Sequence, residues 1–290
     1  MKKLVLAAAT ILAALSLQAK TALVVITHGS PSPTWNTPVL ALEDSLRARH
    51  LPGIDYVRVA LMEYTEPHIA AVIRDCEAQG VDTVLALPLF VAPSTHSDTD
   101  IPNLLGLKYD PEVRAELAEE ELEVANTPMR IFMGPTMTAG NLLHNVLVKQ
   151  VHELSSDPQN EAVLILAHGD PYFLGYWQEL LLNLEETVKR NTEIGYIDSG
   201  LVEMGQQIVD DVAPMLQKAA AQKPKILVQG VYLTSSIAEM ARRFHLTDRQ
   251  DEILKDYPGV TVTYSEDGLL PKYTAEVCDW IAQTLAAWPR

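Results

Sequence analysis

Three side chains able to carry a proton or hold a cation stand at punctuated points in the first half of this sequence. His28 closes the run Ala22-Leu23-Val24-Val25-Ile26-Thr27 and precedes Gly29-Ser30-Pro31. Glu63 follows Leu61-Met62, and His96 lies in Pro93-Ser94-Thr95-His96-Ser97-Asp98. Imidazole titrates near neutrality and is a common metal ligand, and a carboxylate can serve as base or ligand. The chemistry open to such residues is proton transfer or metal coordination. Each also has a plain structural reading: His28 as a turn residue whose ring caps a helix, Glu63 as an exposed strand-end carboxylate.

The pattern returns 140 residues later, which indicates the elements that must position these groups. Ala162-Val163-Leu164-Ile165-Leu166-Ala167 ends at His168-Gly169-Asp170-Pro171. Leu201-Val202-Glu203 falls opposite Leu61-Met62-Glu63, and Ser236 falls opposite His96. Apolar, β-branched runs that stop at His-Gly read as parallel strands buried on both faces. The carboxyl ends of such strands are the ligand-binding edge of an α/β sheet. One gapless shift aligning three strand ends indicates a tandem duplication whose second half keeps His168 and Glu203 and lacks the second histidine.

Strands are expected near 22–27, 55–61, 83–90 and 129–133, and again near 162–167, 194–198, 225–232 and 260–264. Helical patterns fall between them, which implies βαβ units and parallel sheets covered on both faces. The expected fold class is therefore α/β, with two similar parallel-sheet halves and a cleft between them. Residues 20–155 form the first domain and 160–290 the second, divided at the polar stretch Ser155-Ser156-Asp157-Pro158-Gln159-Asn160. Residues 1–19 read as a signal peptide: Lys2-Lys3, an uncharged apolar stretch from Leu4 to Leu17, and a cleavage site at Leu17-Gln18-Ala19. This predicts a periplasmic or secreted protein with no membrane span after cleavage. The acidic stretch from Glu112 to Glu123 reads as a solvated helix or loop insertion.

A formal charge of −16 over 290 residues argues against nucleic-acid binding and favours cationic ligands. Cys76 and Cys278 read as two buried thiols, and the absence of Cys-x-x-Cys argues against a zinc ribbon or thioredoxin-type site. No Gly-x-Ser-x-Gly elbow, Walker loop or Gly-x-Gly-x-x-Gly fingerprint is present, and His28 lacks the preceding Arg of a histidine phosphatase. A two-domain solute-binding protein would match the architecture but would not explain paired His-Gly strand ends.

The first half resembles the CbiX/SirB group of class II chelatases, which insert cobalt or iron into sirohydrochlorin. The resemblance rests on three motifs in order: Thr27-His28-Gly29-Ser30; Glu63-Tyr64-Thr65-Glu66-Pro67; and Leu87-Pro88-Leu89-Phe90 followed by His96-Ser97-Asp98-Thr99-Asp100-Ile101-Pro102. It covers about 110 residues and continues into the second half through His168-Gly169 and Glu203 alone. It implies that His28 and His96 face a cleft, bind the incoming metal ion and act as general base, with Glu63 assisting. Two neutral imidazoles and a carboxylate suit Co²⁺, Fe²⁺ or Ni²⁺ as a substrate that must be released again, which thiolates would trap. A tetrapyrrole is the implied partner, with no organic cofactor. Arg242 and Arg243 are the basic pair that could receive its carboxylates, and Tyr172, Phe173, Tyr176 and Trp177 could stack on it. The competing reading is a noncatalytic periplasmic metal- or haem-binding protein on the same fold.

Overall fold

The computed structural model describes residues 19–288 apart from 203, 204 and 206. The apolar runs fold as anticipated into two four-stranded parallel sheets. The first holds β1 (Thr21–Thr27), β2 (Tyr56–Leu61), β3 (Thr83–Pro88) and β4 (Arg130–Met133) in the order β2-β1-β3-β4. The second repeats that order with β5 (Glu161–Ala167), β6 (Tyr196–Leu201), β7 (Lys225–Gly230) and β8 (Thr261–Tyr264) as β6-β5-β7-β8. In each sheet the chain leaves the first strand for one neighbour and then crosses to the other. That creates a switch point at the carboxyl end of β1 and of β5, where open parallel sheets bind ligands.

The central strands explain themselves by composition. Successive side chains of a strand point to opposite faces, and in β1 and β5 nearly every position is buried. Ala22, Val24 and Ile26 enter an outer core with Ile69, Val72 and Ile73, while Ala162, Leu164 and Leu166 enter the matching outer core of the second half. Leu23, Val25, Val163 and Ile165 all belong to one inner core shared by both halves. Each such residue contributes about 1.5–3 kcal/mol through burial, so slipping either strand by one position would be severely unfavourable.

Helices α1 (Pro33–Leu40), α2 (Leu42–Arg47), α3 (Ile69–Ala78), α4 (Ile101–Leu104) and α5 (Pro111–Glu119) belong to the first half, with α6 (Leu142–Leu154) closing it. The second half adds α7 (Leu174–Asn191), α8 (Ile208–Ala220), α9 (Ile237–Arg243), α10 (Gln250–Ile253) and α11 (Thr274–Ala287). The anticipated division at 155–160 lies between α6 and β5, but the closing helices do not respect it. The α6 helix packs on α7 and β7, and α11 packs on α2 and α6. Trp280 Nε1 donates to the Ala139 carbonyl at 2.6 Å, and an Arg49–Asp279 ion pair ties α11 to the end of α2. The inner apolar layer is thus common property of the two halves.

Cys76 and Cys278 are buried free thiols, and burial pushes the Cys76 thiol up to about 11. The signal-peptide reading of 1–19 falls, except for Ala19, outside the described residues. Among the described residues no helix is long and apolar enough to cross a membrane.

Strand register corrects one expectation. The β1→β5 shift is 140, from Thr21 to Glu161, but their partners Thr83 and Lys225 lie 142 apart. The duplication is therefore not gapless. His96 corresponds to Ala238 and Ser94 to Ser236, and the two serines behave alike. Ser94 Oγ accepts from the Ser97 N–H at 3.3 Å, and Ser236 Oγ accepts from the Glu239 N–H at 3.0 Å. Ser236 is an N-cap, not a replacement for the missing histidine.

Candidate metal site at the cleft between the halves

Three strand ends deliver the three anticipated side chains to one place. His28 follows β1, Glu63 follows β2 and His96 lies beyond β3, so neighbours in the sheet become neighbours in the site. Candidate ligand atoms of His28, Glu63 and His96 all lie within 4.8 Å of one another. The His28 and His96 rings meet edge to face, with centroids 4.8 Å apart.

Gly29 makes that approach possible. Its φ is +100°, and a Cβ there would stand 2.2 Å from the Glu63 carbonyl oxygen. The left-handed backbone and the missing side chain let the β2 end lie against the β1 turn. The Glu63 N–H donates to the His28 carbonyl at 3.0 Å across this contact.

Hydrogen bonds orient both rings. His28 Nδ1 lies 2.8 Å from the Gly29 carbonyl, which can only accept, so Nδ1 carries a proton. His28 Nε2 faces Glu63 Oε1 at 2.7 Å. Burial pulls the His28 pKa down, but the bonds to Glu63 and to the Gly29 carbonyl outweigh it and leave the pKa above the ordinary 6.5. Burial alone would raise Glu63; its bond to His28 and the charges of His28 and His96 hold it below the ordinary carboxylate value.

His96 begins a wide π turn, His96–Asp100, a geometry common at functional sites. Its Nδ1 lies 2.7 Å from Asp100 Oδ2. A carboxylate on one ring nitrogen fixes the tautomer and leaves Nε2 as the candidate ligand atom, an arrangement usual for metal-binding histidines. The carboxylates sit deeper than the rings: Glu63 and Asp100 side chains are 13% and 16% exposed, His28 and His96 34% and 37%. The imidazoles therefore front the cleft with acids behind them. Asp100→Asn should weaken Co²⁺ binding about 10- to 100-fold, read by titration of the visible absorption of bound Co²⁺.

The cleft has a volume of about 680 Å³ and is lined from both halves, His28, Tyr64 and Phe90 on one side and His168, Tyr232 and Arg243 among those on the other. That is within the ordinary range for a ligand pocket. His168 thus faces the site across the cleft. Its anticipated companion Glu203 lies outside the described residues. The basic pair divides: Arg243 lines the cleft, while Arg242 points away into a bidentate pair with Glu266 at 2.8 and 3.0 Å. The aromatic run divides too. Trp177 lines the cleft, but Tyr172 and Tyr176 are 86% and 59% exposed and do not.

Three contributors were not singled out from sequence. Asp100, four residues after His96, carried a readable signal, since i and i+4 share a face of a helical turn. Asp170 and Glu120 carried none. Glu120, in the acidic stretch at the end of α5, lies within electrostatic reach of the site: burial, then Glu63 and Asp100, raise its pKa.

Two doubly wound sheets facing each other across a cleft, with an imidazole pair and a carboxylate at one lip, define a protein of the chelatase fold. The comparisons agree. Residues 22–154, in the first half of the chain, match the CbiX family model. It is 36% identical over 86 residues to a sirohydrochlorin cobaltochelatase of Methanococcus maripaludis, covering 30% of this chain and 58% of that protein. A second sirohydrochlorin cobaltochelatase, from Methanocaldococcus jannaschii, is 36% identical over 89 residues, covering 31% of this chain and 61% of that one. The matched segment thus spans about three-fifths of the length of these relatives. Among solved structures, SirB from Bacillus subtilis with Fe³⁺ superimposes with a TM-score of 0.67 at 15% identity, covering 92% of this chain and 96% of that one. At that identity the likeness is one of fold, and it extends over both halves.

Proposed function

We propose that this protein inserts a divalent metal ion, Co²⁺ or Fe²⁺, into sirohydrochlorin or a closely related tetrapyrrole held in the cleft. The observation that carries the reading is the convergence of His28, Glu63 and His96 within 4.8 Å at the lip of a cavity of about 680 Å³. The names of the sequence relatives supply the substrate class. The −16 charge favours accumulation of the cation. Arg243, alone among the described arginines and lysines in lining the cleft, is placed to meet a carboxylate of the macrocycle. The basic–apolar pattern of residues 1–19 supports an exported protein.

The chemistry follows from the donor set. The substrate ion is held by His28 Nε2, His96 Nε2 and a Glu63 oxygen, which leaves coordination positions open for pyrrole nitrogens. As those nitrogens take over the ion, the macrocycle loses two N–H protons and the imidazoles lose their metal. Each freed Nε2 is then a base within reach of a departing proton. On His28 that proton has an acceptor in place, Glu63 at 2.7 Å. One metal leaves and two protons arrive, so charge balances without a covalent intermediate.

The same competition sets the pH dependence. Metal must displace the proton from His28 Nε2, and the folded site raises the pKa of that group. Below that pKa, Co²⁺ affinity should fall about tenfold per pH unit with one proton released per ion bound; above it, affinity should level off. Calorimetry in buffers of different ionisation enthalpy counts the protons. Binding that strengthens as pH falls would contradict the assignment.

The direct test is anaerobic absorbance of sirohydrochlorin with Co²⁺, with catalytic amounts of protein and His96→Ala as control. Acceleration of the metallated spectrum by the unmodified protein alone is the expected result. A shift that stops at one equivalent of protein would instead identify a metal or tetrapyrrole carrier on the same fold.

A further inference from the structure

The second half has alanine where the first has His96, yet it grips the segment that carries His96. Asp170, in the His168-Gly169-Asp170 turn, accepts with Oδ2 from the Thr95 N–H at 2.9 Å and from the Thr95 hydroxyl at 3.1 Å. Its other oxygen, Oδ1, accepts from the N–H groups of Tyr172 at 2.8 Å and Phe173 at 3.2 Å. Trp177, one turn into α7 and 6% exposed, donates its indole N–H to the Pro93 carbonyl at 3.0 Å. Three hydrogen bonds from the opposite half therefore fall on residues 93 and 95, immediately before the histidine.

The corresponding residue of the first half is Ser30, whose hydroxyl accepts from the Ser32 N–H at 3.1 Å. That is the same turn Asp170 makes with Tyr172, made here by the serine's single oxygen. A carboxylate makes the turn with one oxygen and reaches across the cleft with the second.

We propose that Asp170, backed by Trp177, is a positioning residue for the metal site, fixing from across the cleft the loop that aims His96 at His28. The role rests on the reading of His28, Glu63 and His96 as the ligands of the substrate ion. Asp100 sets the His96 ring from within its own turn, and Asp170 sets the backbone beneath it. A ligand must be held within about half an ångström of its working geometry, and loops hold side chains less precisely than strands or helices do. This gives the second half a part in metal handling even where it contributes no ligand.

The test compares unmodified full-length protein with Asp170→Asn, Thr95→Val and His96→Ala, using hydrogen exchange over residues 93–100 and Co²⁺ titration. Asp170→Asn retains one oxygen for the Tyr172 turn and turns an amide NH₂ toward the two Thr95 donors. Exchange over 93–100 should accelerate while the sheets stay protected, and Co²⁺ binding should weaken about tenfold. Thr95→Val loses the hydroxyl bond and keeps the amide bond, so its effect should be smaller and should vanish in the Asp170→Asn background. Unchanged exchange over 93–100 in Asp170→Asn overturns the latch, whatever binds the metal. Faster exchange with unchanged Co²⁺ affinity, where His96→Ala abolishes binding, overturns the positioning role and leaves the metal site standing. Binding that survives His96→Ala removes the metal-site reading, and the positioning role with it.

Discussion

His28→Ala and His96→Ala should each slow cobalt insertion by about 10³-fold, with the folded protein otherwise intact. The magnitude follows from the double duty proposed for each ring, ligand of the substrate ion and then proton acceptor, since loss of a positioned base alone is typically worth 10²–10⁴ in rate. Both variants should also lose stability. His28→Ala leaves the Glu63 carboxylate, 13% exposed, without the partner that holds its pKa down. An unsatisfied, largely buried acceptor costs about 1–3 kcal/mol, so the melting temperature should drop by several degrees. His96→Ala frees the Asp100 carboxylate, 16% exposed, at a comparable cost. His168→Ala should lose markedly less activity, because the residue equivalent to His96 in its half is Ala238, which offers no ligand atom. Equal damage from His168→Ala would mean that the working ligands include the second His-Gly turn. Anaerobic metallation rates and melting curves on the three variants decide the matter.

Gly29→Ala should be the most disruptive single-methyl change in the site. At φ +100° any other residue is strained, and the new Cβ would stand 2.2 Å from a backbone oxygen, that of Glu63, which has no rotamer to escape into. A loss of about 3 kcal/mol is expected, lowering the melting temperature by roughly 6–12 °C. Co²⁺ binding should fail even in the cold, where the protein remains folded, because relief of the clash pushes the β2 end and Glu63 away from His28. Gly169→Ala is the built-in comparison. Its φ is similarly positive at +88°, but the nearest atom to its Cβ would be a Leu201 side-chain methyl at 3.1 Å, which can move. It should show the backbone strain without the loss of metal binding. Comparable metal affinity in the two variants would show that Glu63 placement does not depend on the Gly29 contact.

Much of the architecture was readable because burial has a period. The runs ending at His28 and His168 are apolar on consecutive residues, which a parallel strand covered on both faces satisfies and an amphipathic helix does not. Alternation with helical stretches then led to two parallel sheets. The register of the second sheet was not readable. Two extra residues before β7 shift its alignment by 142 instead of 140, and only the pairing of Lys225 with Glu161 reveals them. Ser236 consequently passed for a lost ligand, although it caps α9. Nor did sequence indicate that α6 and α11 pack across the domain boundary, since an apolar face does not name the core it will enter.

Local stretches of residues suffice to show which residues end the strands and that His28, Glu63 and His96 belong to successive strand ends. These follow from local rules: side-chain period, turn chemistry and the ordering of parallel strands. Tertiary structure alone decided that Arg243 faces the cleft while Arg242 is held by Glu266, and that Trp177 lines it while Tyr172 does not. It also decided that Asp170 of one half reaches Thr95 of the other. Adjacent residues on a helix point about 100° apart, and contacts between residues 75 apart depend on how two sheets settle against a common inner core. Neither the direction of a side chain at such a crossing nor its partner is encoded in any local stretch.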